Sequence, residues 1–346
     1  MNSPTRYDLD RAALGAMLAD QPSYRLDQLW SGLYEHRLEP VDISNLPTAL
    51  RSRLTEELPT ALEPAAESTS ENGDTVKWLW TLADGTQIET VLMHYPDRST
   101  VCISTQAGCA MACGFCATGQ AGFERHLTVG EIVEQVIRAQ RRADERNRRI
   151  SNVVFMGMGE PLANYDATWA TVERLHGAFG LSARHLTVST VGVVPGIKRL
   201  ATAPLPVKLA VSLHAANNTL RDELVPLNKR YPIEVLVDAC REYLEASGRR
   251  ISFEWALIDG VNDRPSDAEE LAEIAFDLHA HVNLIPLNPT PGFLAQGPPA
   301  ARVAAFRDEL ARRGANVTVR RNRGTSIDAA CGQLRANVAV AAPTRR

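Results

Sequence analysis

Three cysteines stand within eight residues of one another, in Cys109-Ala-Met-Ala-Cys113-Gly-Phe-Cys116. Gaps of three and two residues let one short loop turn three thiolates toward a common centre. Thiolates are the donors that iron–sulfur clusters select. A cubane held by four cysteines is closed; held by three, it leaves one iron open to chelate an amino and a carboxylate group. Structural zinc is the competing chemistry. It needs four ligands, and Cys102 or His126 could supply the fourth. The remaining cysteines are 102, 240 and 331. By composition alone Cys102, in strand-like sequence, and Cys331, in a loop with Gly and Asp, also fit buried inert thiols. Cys240, in Val237-Asp-Ala-Cys-Arg-Glu on a helical pattern, reads as a core or surface thiol.

Elements must hold such a loop in place. From about residue 98, short β-branched runs alternate with amphipathic helical stretches. The strand expectations are Thr100–Thr105, Asn152–Met156, His185–Thr190, Lys208–Leu213, Ile251–Leu257 and His281–Pro286. Helical patterns fall at Thr128–Ala143, Asp166–Phe179, Ile233–Ser247 and Ser266–Leu278. This is βα repetition, hence a parallel sheet with helices outside, and six units make an open, partial barrel. Ligands of such folds sit at the carboxyl ends of the strands. There the sequence places Gly157-Met-Gly-Glu160-Pro161, Ser189, Ser212-Leu213-His214 and Asn288, along the same rim as the cysteine loop. Each alone also fits a tight turn or a satisfied polar cap.

The first 62 residues read as short helical pieces punctuated by proline, with Leu26, Leu29, Trp30, Leu33 and Tyr34 at helical spacing. Residues 63–74 are small, polar and acidic, like a linker or loop. Thr75 to Tyr95 alternates strand-like residues around Ala83-Asp84-Gly85, a hairpin pattern.

The chain has 346 residues, 45% apolar and 23% charged, which excludes collagen-like, disordered and secreted disulfide classes. No apolar run is long enough for a bilayer, and no apolar core follows the amino-terminal Arg6. The reading is a cytoplasmic chain with reduced cysteines. Net charge is −4, but the first 100 residues carry 8 basic and 16 acidic side chains, so the remainder is +4. Positive charge gathers in Arg138–Arg149, with six Arg, and Arg302–Arg323, with seven. Either is a solvated face or a phosphate contact.

Taken together, these motifs carry a resemblance. The three-cysteine loop, with aromatic Phe115 before its last cysteine, resembles the radical S-adenosylmethionine superfamily. Gly157–Pro161 is similar to that superfamily's Gly-Gly-Glu element, which holds the methionine amine. The stretches Cys102 to Phe123, Met156 to Leu162, Ser212 to Ala215 and Arg323 to Leu334 resemble the RlmN/Cfr family of RNA adenine methyltransferases, its RlmN branch most. The likeness includes Tyr24-Arg25 to Tyr34 and runs over nearly the whole chain.

The resemblance implies a partial (β/α)6 TIM-like radical SAM barrel over 98–325. Around it come a helical amino-terminal RNA-binding domain over 1–74, a β-hairpin extension over 75–97 and a carboxyl-terminal loop segment over 326–346. It implies one [4Fe-4S] cluster on Cys109, Cys113 and Cys116. S-adenosylmethionine, two per turnover, would lie against Gly159, Glu160, Ser189, Ser212, Leu213, His214 and Asn288. Cys331 would become the S-methylcysteine intermediate, Cys102 the resolving thiol and base, and Glu89 the proton acceptor. The product would be an adenosine methylated at C2, in the peptidyl-transferase region of 23S rRNA and 3′ of the anticodon in tRNA. C2 of adenine is neither nucleophilic nor acidic, so direct displacement from a sulfonium fails there and a radical route is needed. The expected partners are these RNAs, a flavodoxin-like electron donor and a disulfide reductant. No membrane is expected, and a monomer is the default. Methylation at C8, as in the Cfr branch, uses the same residues. A radical enzyme of another branch and a non-catalytic zinc- or cluster-binding RNA adaptor are the other readings.

Overall fold

A computed structural model describes residues 4–290, 292–320 and 324–334. Arg321, Arg323 and the stretch 335–346 of the expected carboxyl-terminal segment lie outside the described residues. Three short helices open the chain: α1 (Arg11–Met17), α2 (Tyr24–Tyr34) and α3 (Thr48–Glu57). An antiparallel meander follows, of β1 (Glu63–Thr69), β2 (Thr75–Thr81) and β3 (Gln87–His94), and β3 pairs antiparallel with β4 (Ser99–Cys102). The cysteine loop and α4 (Ala117–Ala121) lie between β5 (Gln106–Gly108) and β6 (Phe123–His126), which pair as a separate two-stranded sheet.

The α/β alternation then runs α5 (Val129–Asp144), β7 (Asn152–Phe155), α6 (Tyr165–Gly177), β8 (Leu186–Thr190), α7 (Val194–Ala201) and β9 (Lys208–Ser212). It continues with α8 (Asn218–Leu224), α9 (Ile233–Ser247), β10 (Ile251–Leu257), α10 (Pro265–Asp277), β11 (His281–Pro286), α11 (Ala300–Arg312) and β12 (Asn316–Val319). The main sheet has the order β1-β2-β3-β4-β7-β8-β9-β10-β11-β12 and is parallel from β4 onward. It is open, with β1 and β12 at its ends, as a partial barrel requires. Among the described residues no helix is long and apolar enough to cross a membrane.

The parallel strands are buried by helices, so they read as apolar runs. Phe155, Val188, Val211, Phe253, Trp255 and Leu284 are all inaccessible to solvent. α5 begins at a capping box: the Thr128 hydroxyl accepts from Glu131 N–H at 3.2 Å, and Glu131 accepts from Thr128 N–H at 2.8 Å. It is covered on both sides, so even Glu134 and Gln135 are buried, and Glu134 accepts from Ala61 N–H at 2.8 Å.

Three findings differ from the sequence reading. Residues 63–69, read as linker, form edge strand β1, so the hairpin is part of a meander continuous with the barrel sheet. A seventh parallel strand, β12, lies inside the second arginine stretch. Four of the six arginines of the first arginine stretch form a seam within the chain rather than a free cationic face. Arg138 pairs with Glu134 at 2.9 Å, and Arg141 with Glu39 at 2.6 Å. Arg142 pairs with Glu145 and Glu67, and Arg148 donates to the carbonyls of Tyr95 and Arg98. Glu39 also takes buried Arg6, and Arg37 reaches Asp144 at 3.1 Å. The amino-terminal helices are thereby fastened to α5.

Candidate active site

The cysteine loop is shaped by backbone. Cys109 N–H donates to Gly122 C=O at 2.6 Å, and Cys116 N–H to Cys113 C=O at 3.1 Å. Gly108 has φ +72°, and a Cβ there would lie 2.0 Å from the Gly122 oxygen, so no other residue fits. The three thiols line one cavity at the carboxyl ends of the parallel strands, with about 990 Å³ of open space. Burial pushes the Cys109 thiol up to about 12, and burial beside Cys116 and Cys109 pushes Cys113 up further.

Three soft donors in one apolar recess fit a cluster, whose irons supply the positive charge that the thiolates need there. The same residues do not make a closed zinc site. Cys102 does not line the cavity where the three thiols meet, His126 Nδ1 is engaged by Gln106 Nε2 at 3.1 Å, and among the described residues no three His, Cys, Asp or Glu converge on one ion.

The rim residues come from successive strand ends. Gly159 follows β7 at φ +99°, and a Cβ there would meet Gln106 at 2.5 Å. That tightness sets the next residue, Glu160, whose N–H donates to Gln106 Oε1 at 2.8 Å. The Glu160 carboxylate accepts from Leu162 N–H at 3.0 Å and Val191 N–H at 2.8 Å, and burial lifts its pKa to about 7 against those bonds. Ser189 and Ser212, at the ends of β8 and β9, face the same cavity.

His214 is held at φ +61° by its neighbours. Its Nδ1 accepts from Ala256 N–H at 2.9 Å, and its C=O accepts from Asn262 at 2.8 Å. Burial lowers its pKa to about 3, so it is neutral, and with Nδ1 accepting, the proton sits on Nε2. Asn288 lines the cavity too, but its amide donates to Cys331 C=O at 3.0 Å, so it also positions the cysteine loop at the other end of the chain. Leu213 is not on this surface: it is fully buried in the core and only its flanking residues face the cavity.

Cys331 borders both cavities. Its loop is pinned to the cluster loop and to the end of β11. Ala117 N–H donates to Gly332 C=O at 2.8 Å, the Thr118 hydroxyl donates to Leu334 C=O, and Gln333 donates to Pro289 C=O at 3.2 Å. Cys102, at the end of β4, lines the second cavity with Cys331. Burial, with the nearby Cys331, raises the Cys102 thiol to about 12, opposed by Arg320. Glu89 lies on β3, buried, 3.0 Å from Lys77 Nζ, which also donates to Asp328 C=O at 3.1 Å. The Glu89 side chain lines neither cavity; it reaches the Cys331 loop through Lys77.

Sequence reading missed three contributors. Arg320 follows β12 and borders both cavities with Cys331, and its nearness to the Cys331 thiol raises its pKa. Glu254 is buried on β10, where a charge in an apolar strand was the available signal; it accepts from Asn283 at 2.8 Å. Asn262 holds His214 from a loop with no distinguishing motif.

The model of the radical SAM superfamily matches residues 103–275. A dual-specificity RNA methyltransferase RlmN 1 of Myxococcus xanthus is 49% identical over 344 residues, covering 97% of this chain and 95% of that protein. A relative from Parafrankia sp., named "Probable dual-specificity RNA methyltransferase RlmN", is 51% identical, covering 91% of this chain and 86% of its own. The crystal structure of a radical SAM methyltransferase from Sphaerobacter thermophilus superposes with a TM-score of 0.94 at 51% identity, covering 96% of this chain and all of that one. A matched superfamily core, a shared fold and near-complete coverage at about half identity lead to one assignment: the chain belongs to the RlmN family of radical SAM RNA methyltransferases.

Proposed function

We propose that the protein methylates C2 of an adenosine in 23S rRNA and of the adenosine 3′ of the anticodon in tRNA, carrying the new carbon on Cys331. The observation that carries this reading is the double exposure of Cys331, to the cavity with the cluster thiols and to the cavity with Cys102. The names of the relatives, which speak of dual specificity toward RNA, support two substrates.

Cys109, Cys113 and Cys116 would hold the cluster. Gly159, Glu160, Ser189, Ser212 and the Nε2–H of His214 would hold S-adenosylmethionine, with Glu160 on its ammonium. When bound, these groups supply a transferable methyl and, by one-electron cleavage, a carbon radical able to remove hydrogen, so two S-adenosylmethionine molecules are used per turnover.

The chain's own residues do the rest. Cys331, as thiolate, accepts the methyl and becomes a thioether. Its carbon, after losing one hydrogen, bonds to the adenine ring. The adduct gives up its odd electron to the site that supplied one, and Cys102 assists loss of the ring proton. Cys102 then forms a disulfide with Cys331 as the carbon–sulfur bond breaks, the freed carbon taking a proton from solvent to complete the methyl and release methylated RNA. Glu89 takes the ring proton, tied to this loop through Lys77. An external reductant reopens the disulfide. Residues 1–62 serve as the RNA-binding domain, 63–97 as the meander extension that replaces the expected hairpin of 75–97, 98–325 as the catalytic barrel and 326–346 as the methyl-carrying segment.

The test is the isotopic content of the product. Anaerobic protein receives reductant, methyl-deuterated S-adenosylmethionine, and unmodified 23S rRNA or tRNA. Digested RNA is expected to contain 2-methyladenosine retaining two deuterons, with none formed by Cys331→Ala. Labelled 8-methyladenosine, or three retained deuterons, overturns the proposal.

A further inference from the structure

Arg221, on α8, is a fully buried guanidinium whose bonds all go to neutral acceptors. It donates to the carbonyls of Val191 (2.6 Å), Leu213 (3.0 Å) and Ser212 (3.3 Å) and to Asn228 Oδ1 (2.9 Å). No carboxylate pairs with it among the described residues. Asp222, next in the chain, is turned to Asn228 Nδ2 at 2.7 Å instead. A buried charge needs an opposite charge nearby, or its desolvation goes uncompensated.

The surroundings show where that opposite charge belongs. α8 sends Leu220 and Leu224 into the apolar cluster that contains Cys113, Phe115 and Cys116. Val191 and Ser212, whose carbonyls the guanidinium holds, line the cavity that Cys109, Cys113 and Cys116 share. Burial lowers the guanidinium's pKa only to about 10, so Arg221 remains a cation at neutral pH. The same fork joins the end of β8 to the end of β9, which carry Ser189 and Ser212 and lead into His214.

We propose that Arg221 is the protein's counter-charge to the thiolate-bound cluster on Cys109, Cys113 and Cys116, and that it raises the reduction potential of that cluster. Reduction adds an electron to an assembly that is already anionic. A fixed cation behind it, in a low-dielectric interior, favours the reduced form. The inference rests on the cluster reading of the three thiols.

The test is an anaerobic redox titration of the reconstituted protein, followed by electron paramagnetic resonance, with iron content measured alongside. Arg221→Gln keeps an amide donor and removes the charge. Asn228→Asp keeps the fork and sets a carboxylate against it; half-buried Asp222 can turn to solvent. Both are expected to shift the midpoint to more negative potential, by about 59 mV if the reduced-to-oxidised ratio at fixed potential falls tenfold. Arg221→Lys, which keeps the charge and loses the fork, is expected to stay near the wild-type midpoint.

A wild-type midpoint in Asn228→Asp overturns the proposal, and that variant decides the matter if Arg221→Gln does not fold. A shift in Arg221→Lys as large as in Arg221→Gln overturns it too, by making shape rather than charge the cause. Wild-type protein that assembles no cluster would instead sink the reading of the cysteine loop, which is a separate failure.

Discussion

Glu160 shows how a single side chain can be poised by two opposed effects. Two backbone N–H groups stabilise its charge, while complete burial opposes it strongly enough to place the pKa near 7. An ammonium is attracted by the ionised form only. Below pH 7 the free site holds a neutral acid, and above it a carboxylate. Affinity of the cluster-loaded protein for S-adenosylmethionine should therefore rise from pH 6 to pH 8, as calorimetry under nitrogen would show. In Glu160→Gln it should be weaker by about tenfold or more and flat across that range, since a charge-assisted bond is lost. A wild-type affinity independent of pH would remove Glu160 from the ammonium.

At this scale the sequence was informative wherever chemistry is local. Cys109, Cys113 and Cys116 declare themselves by spacing, and Gly159-Glu160 by adjacency. Arg221 and Arg320 gave no such signal. Their partners are carbonyls and thiols brought near by folding, and nothing in Leu220-Arg221-Asp222 distinguishes a buried counter-charge from a surface residue.

Among the elements, those with two buried faces were readable and those at the edges were not. β10 and β11 fall where their apolar runs put them, and α9 spans the expected Ile233–Ser247. β1 was hidden because an edge strand needs only backbone pairing on one side. Glu63-Pro-Ala-Ala-Glu-Ser-Thr69 is mostly exposed and has no apolar alternation; a side-chain tie to β2 is Trp78 Nε1 donating to Glu67 at 2.8 Å. β12 is the mirror case at the other end, four residues of alternating exposure.

The turn after β7 gives the sharpest prediction at this scale. Gly159→Ala must hold a side chain at φ +99° and push it to 2.5 Å from Gln106. The cost is about 2 kcal/mol or more, from strain at positive φ and overlap together. Denaturant unfolding should read that loss, and S-adenosylmethionine binding should fall with it because Glu160 moves. Unchanged binding in a folded Gly159→Ala protein would uncouple the turn from the carboxylate.

For the molecule as a whole, charge is spent on cohesion before it is spent on RNA. The first 100 residues carry a balance of −8, which repels a nucleic-acid backbone where it faces solvent. Part of this acidity faces inward, onto the arginines of α5. Glu39 is the centre of this seam, taking both Arg6, which is 3% exposed, and Arg141. Glu39→Gln removes the carboxylate paired with buried Arg6, leaving Glu134 to offset it, and should cost about 2 kcal/mol. An early unfolding transition of the amino-terminal helices, ahead of the barrel, is the expected signature; a single transition at the wild-type midpoint would mean the seam contributes nothing.

The meander has a further consequence for anyone wishing to trim this chain to its catalytic part. β4 carries Cys102 and is the first of the parallel strands, yet it is not a border: β3 lies along it, β2 along β3, and β1 finishes the row with Glu63 and Glu67 exposed. Cutting at residue 98 would turn β4 into a naked ribbon of unmet N–H and C=O groups, ready to zip onto the next molecule. The acidic outer strand thus acts as a selvage. It keeps the sheet from unravelling into its neighbours, and it must travel with any shortened enzyme meant to stay in solution.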